Sequence, residues 1–135
     1  MIKDKLQKEL HEALDLCGAL DKATDTLTAG IVQFELALYD LRLNLQVRVP
    51  ISQSRKLAYV KTNGNWRLVV ETEADTIPLI NASRELRIEC ATQFPALLEA
   101  LSGMARQQFE RVQQASGVVQ ECIALASDTL KERKE

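Results

Sequence analysis

Positions 6, 10, 13, 17, 20, 24, 27, 31, 34 and 38 step alternately by four and three, and read Leu, Leu, Ala, Cys, Leu, Thr, Leu, Ile, Phe, Leu. A repeat of about 3.5 residues keeps one stripe of a helix turned toward a partner, so the spacing predicts a long helix over 3–39 with a coiled-coil seam. After Tyr39-Asp40 the period drops to two. Leu41, Leu43, Leu45, Val47, Val49 and Ile51 alternate with Arg42, Asn44, Gln46, Arg48 and Pro50. Successive side chains of a strand point to opposite faces, so a strand is expected from 41 onward.

Asn63-Gly64 lies between two further strand-like runs, and this pair accepts the positive φ angles of a two-residue type I′ turn. The turn sets the register. Thr62 faces Asn65, which puts Lys61 opposite Trp66, Tyr59 opposite Leu68 and Leu57 opposite Val70 on the face expected to meet the core, with Val60 opposite Arg67 and Lys56 opposite Glu71 on the other. With Ser52 to Arg55 as a short polar link, residues 41–72 read as a three-stranded antiparallel meander. A loop through Pro78 then leads to a short helix over 81–94, where Asn81 or Ser83 can cap the first turn. Pro95 suits the first turn of a final long helix over 95–132.

That last helix repeats the stepping at 98, 101, 105, 108, 112, 115, 119, 122, 126 and 129. The two seams match antiparallel when paired residue numbers sum to 132, so that Leu6 meets Ala126, Leu10 meets Cys122 and Leu20 meets Val112, and the polar Thr24 and Gln108 coincide, with registers shifted by seven residues as alternatives. Gly30 and Gly103 fall nearly opposite, and Gly18 lies within a turn of Gly117, which suggests close helix approach. The expectation is one α+β domain over 1–135, with two long antiparallel helices forming a coiled-coil-like stalk and the meander and short helix inserted between them. The last helix is apolar beyond its seam. Val118, Ile123, Leu125 and Leu130 exceed what one partner helix covers, so they are expected at the centre of a homodimer interface.

Charge adds a second clue. Residues 41–70 hold Arg42, Arg48, Arg55, Lys56, Lys61 and Arg67 with no acid; of 17 basic and 19 acidic residues, 11 and 19 are left elsewhere, so a +6 middle and a −8 remainder hide behind a net charge of −2. Arg42, Arg48, Lys56 and Arg67 are expected on the sheet face away from the core, as a surface for an acidic protein partner or, in the alternative reading, for the phosphates of a nucleic acid. Aromatic residues make up only 4% of the chain, and Tyr59 and Trp66 are expected on the other face, so no base-stacking platform accompanies the basic one.

Catalytic signatures are lacking. His11 is the only histidine, and a metalloprotease helix needs two spaced four apart. Glu71, Glu73 and Asp75 share a strand face yet fall short of the six or so oxygens that Ca²⁺ takes. Cys17, Cys90 and Cys122 sit in apolar helical patterns and read as reduced core thiols. No cofactor is implied. The opening MIKDKLQKEL mixes acid and base with no apolar block after it, which argues against a signal peptide or membrane span and for a cytoplasmic location. Only the closing KERKE run reads as frayed. A non-enzymatic protein-interaction or adaptor module is therefore the expectation, with a small nucleic-acid-binding accessory protein as the alternative.

Overall fold

A computed structural model describes residues 1–134. Helix α1 (Ile2–Leu41) is followed by strands β1 (Val47–Pro50), β2 (Lys56–Thr62), β3 (Asn65–Glu71) and β4 (Thr76–Pro78), a 3-10 turn (Leu79–Asn81), and helices α2 (Arg84–Thr92) and α3 (Phe94–Lys134). The fold is α+β, with one four-stranded antiparallel sheet in the order β1-β2-β3-β4.

The hairpin has the register expected from its turn. Asn63 and Gly64 lie at φ 50° and 84°, the left-handed region that a type I′ turn needs at both positions. Thr62 pairs with Asn65, Lys61 with Trp66, Tyr59 with Leu68, Val60 with Arg67 and Lys56 with Glu71. Ser83 caps α2, its Oγ accepting from the Leu86 N–H at 3.3 Å.

The sheet's other boundaries differ from expectation. The first strand starts at Val47 rather than 41, because α1 runs to Leu41 and Arg42 and Asn44 then take left-handed φ values of 50° and 52°, which no strand accommodates. A fourth strand, β4, pairs with Val69–Glu71 where a loop was expected. Helix α3 extends through Lys134, so most of the KERKE run is helical, and its last residue, Glu135, lies outside the described residues.

One sheet face carries the core. Val47, Leu57, Tyr59, Leu68 and Val70 meet Ile31 and Leu38 of α1, Cys90 of α2, and Leu97 and Leu101 of α3, with Leu79 and Ala82 closing the end. Phe34 and Phe94 bring α1 and α3 together there, their ring centroids 4.4 Å apart. Ala58, Val60 and Val69 are also buried, on the opposite face that was expected to be solvated. The register sets these small residues beside Arg48, Lys56, Arg67, Glu71 and Pro78 on the same face, and long stems of this kind are able to lie over small apolar neighbours.

The seam expected between the two long helices does not close within the chain. Helix α2 lies against α1, where Leu20, Ala23, Thr24 and Leu27 face Arg84 and Ile88, while α3 runs beside β1. The expected Thr24–Gln108 contact is replaced by a Thr24 hydroxyl donating to the Leu20 carbonyl at 2.8 Å. Nothing lies within 4 Å of a Cβ built on Gly18, Gly30, Gly103 or Gly117, so close helix approach inside the chain does not account for them.

Candidate functional site

Two kinds of surface stand out: a pair of bare helical arms and a charged, partly aromatic head. Residues 2–23 of α1 and 106–134 of α3 are exposed throughout. At 1.5 Å rise per residue these arms extend ~33 and ~43 Å beyond the packed head. Their apolar stripes persist. Leu6, Leu10, Leu14 and Leu16 are 53–68% exposed on the first arm, and Val118, Ile123, Leu125 and Leu130 are 52–67% exposed on the second. The four residues expected at a dimer interface are thus free for contact in the single chain. Cys17 and Cys122 share this exposure, which corrects their reading as core thiols, whereas Cys90 is buried.

The basic residues separate into two groups. Arg48 on β1, Lys56 on β2 and Arg67 on β3 share the sheet face away from the helices. Arg42 does not join them. It caps α1, its N–H donating to the Tyr39 carbonyl at 3.0 Å, and it lines a cleft on the core side of the sheet. The alternation of Leu41, Leu43 and Leu45 suggested a strand there, and helix propagation to Leu41 turned Arg42 the other way.

The basic face is also partly neutralised. Arg48 reaches across β2 to Glu71, Nε to Oε1 at 2.6 Å and Nη2 to Oε2 at 3.3 Å, a two-pronged guanidinium–carboxylate contact. Lys56 and Arg67 have no ion-pair partner among the described residues.

The cleft beside Arg42 measures about 330 Å³ and is lined by Tyr39, Arg42, Leu43, Asn44, Tyr59 and Trp66. It collects both tyrosines and the only tryptophan of the chain. Tyr59 and Trp66 stack across the hairpin at 5.4 Å between centroids. A second hollow of about 260 Å³ adjoins it past Tyr39 and Trp66, with Glu35, Leu36, Asn65 and Arg67. Sequence reasoning placed Tyr59 and Trp66 on one face; the part of α1 that forms the opposite wall carries no such signal. Burial foremost, then the Glu35 carboxylate and Tyr39, push the Tyr59 hydroxyl above its ordinary value of 10.0, so it stays a neutral donor and acceptor at physiological pH.

Glu35 has a structural use. Because β4 covers only the second half of β3, the N–H of Leu68 has no strand to meet, and it donates to Glu35 Oε2 at 3.0 Å. This caps the open sheet edge. The cleft therefore offers aromatic walls and a guanidinium, without a nucleophile and base in mutual contact. His11 is exposed on the first arm, and among the described residues no three His, Cys, Asp or Glu side chains converge to hold a metal ion. Among them, too, no helix is long and apolar enough to cross a membrane. No family model, curated protein or solved structure matches the chain.

Proposed function

We propose that the chain is a non-enzymatic protein-interaction module of the cytoplasm, a homodimer joined through its helical arms, whose head offers a basic sheet face to an acidic partner. The observation that carries this reading is the pair of amphipathic arms left bare by the single chain. Twelve large apolar side chains on them are 43–68% exposed. Fully burying such a side chain yields roughly 1.5–3 kcal/mol, so covering these half-exposed ones yields on the order of 10–20 kcal/mol gross per chain and twice that per dimer. That exceeds the ~4–15 kcal/mol lost when two molecules give up independent motion. Water is a poor resting environment for a stripe of this length.

Light scattering at micromolar concentration tests the reading. A dimer is expected, and replacing Ile123 and Leu125 with Asp should yield monomer or aggregate, since each unpaired carboxylate occurs twice at a two-fold contact. A monomer from the unmutated chain overturns it.

For the head, Lys56 and Arg67 supply the free charge, and the Arg48–Glu71 pair weighs against a phosphate-binding surface. Polyglutamate binding that Lys56→Glu with Arg67→Glu abolishes is the expected result. Retention of an oligonucleotide that weakens steeply as salt rises would favour the nucleic-acid alternative instead.

A further inference from the structure

Resting on the reading that the arms assemble with a second copy, we propose how they do so: the α1 arm of each chain lies antiparallel against the α3 arm of the other, in a four-helix bundle with both heads at the same end. Four observations converge on this arrangement. First, α2 occupies the side of α1 at Leu20, Thr24 and Leu27, the turns at which a seam within the chain would begin. The start of the chain's own α3 packs beside β1 and its arm over 106–134 is exposed throughout, so neither arm is covered within the chain.

Second, the two arms complement each other layer by layer. With residue numbers summing to 132, Leu6 meets Ala126, Leu10 meets Cys122, Ala13 meets Val119 and Cys17 meets Ala115. Each layer pairs one larger with one smaller side chain, which is how facing helices interdigitate at even spacing. Distal residues pair with distal and proximal with proximal, which puts both heads at one end.

Third, the apolar flanks of the two seams meet at one shared level. Leu14 and Leu16 flank the α1 seam on its two sides; Val118 on α3 is level with Leu14, their numbers summing to 132, and two residues off Leu16, while Ile123 is level with Glu9. A two-stranded coil covers the seam alone, whereas a bundle of four helices covers both flanks of every helix. Fourth, the area approaches that of a stable interface. Fully burying a large exposed apolar side chain removes about 60–120 Å² from water; the twelve here are 43–68% exposed, so covering them supplies roughly 400–850 Å² per chain, close to the ~800 Å² per partner of a standard stable interface.

Disulfide trapping decides the arrangement, because Leu10 and Cys122 share a layer. A Leu10→Cys, Cys17→Ser chain, with Cys90 buried and out of reach, is oxidised with diamide at micromolar concentration and run on a non-reducing gel. The expected product is a covalent dimer joined from position 10 to Cys122, absent when Cys122→Ser is added. An oxidised monomer with the same linkage inside one chain overturns the exchange of arms. So does a cross-chain Cys17–Cys122 bond formed efficiently by the unmutated protein, which means a register shifted by seven residues. A dimer by light scattering that never crosslinks at position 10 overturns the pairing while leaving the dimer reading intact; a monomer by light scattering removes that reading itself.

Discussion

Within one helix, α1, two stretches of the same seam meet opposite fates. Ile31 and Leu38 are 1% and 2% exposed, whereas Leu6 and Leu10, in the same repeat about six turns and more upstream, are 53% and 64% exposed. Residue type and spacing are alike; what differs is what the rest of the chain brings. Around Ile31 and Leu38 the meander, α2 and the start of α3 supply neighbours from distant sequence positions. The arm meets only solvent. The comparison teaches that a period of 3.5 encodes a demand for cover, while three-dimensional context decides whether the same molecule meets it.

Several substitutions sharpen this contrast, beginning with the largest effect. Leu68→Ala removes a fully buried side chain and should cost the head about 2–5 kcal/mol in denaturant titration. Leu14→Ala on the arm should leave the monomer's unfolding free energy almost unchanged and weaken dimerisation instead. Equal losses in the monomer would erase the distinction between head and arm. Gly64→Val forces a β-branched residue to φ 84° and should destabilise the head by roughly 1–3 kcal/mol, seen as a lowered melting midpoint. An unchanged midpoint would contradict the turn.

The thiols contrast in the same way. Burial first, and the Glu89 carboxylate second, push Cys90 up from 9.0 to about 11. A thiol held neutral by the fold contributes stability that is present below pH 9.0 and is lost as pH rises toward about 11. Cys90→Ala should flatten that part of the stability profile, and a parallel profile would refute it. Cys17 and Cys122 should label within seconds to minutes at dilutions that separate the chains, and slowly once assembled. The smallest effect is at the rim. Arg48→Ala breaks a half-exposed ion pair and should cost within ~1 kcal/mol, less at high salt, as a double-mutant cycle with Glu71→Ala reports.

How far these features were legible depends on the range of the signal that sets them. Asn63-Gly64 fixed every pair of the hairpin because turn geometry and strand period act over a few residues. Local alternation misled at Leu41, Leu43 and Leu45, where helix α1 continued and left-handed Arg42 and Asn44 redirected the chain. Strand β4, three residues ending in Pro78, is too short to show a period and exists because the edge of β3 needs a partner. Strand alternation placed Arg48, Lys56 and Arg67 on one sheet face, as the register has them, yet Glu71 as partner of Arg48 emerges only when three strands lie side by side. The aromatic cleft needs α1 set against the hairpin, a juxtaposition that no local pattern specifies.

The order β1-β2-β3-β4 also bears on how the molecule reaches its fold. Each strand pairs with its sequence neighbour across links of only five, two and four residues. Closing a loop costs entropy that grows with the logarithm of its length, about 0.6 kcal/mol for each doubling. Leu38 and Leu97 stand 59 positions apart, but a preformed meander bridges most of that separation through short steps. Native pairing is therefore expected to nucleate at the Asn63-Gly64 hairpin and spread outward to its neighbours, with the helices docking afterwards. The sheet then acts as a clasp that brings the two ends of the chain into register before either arm meets another molecule, making folding a first-order event and assembly a separate, concentration-dependent one.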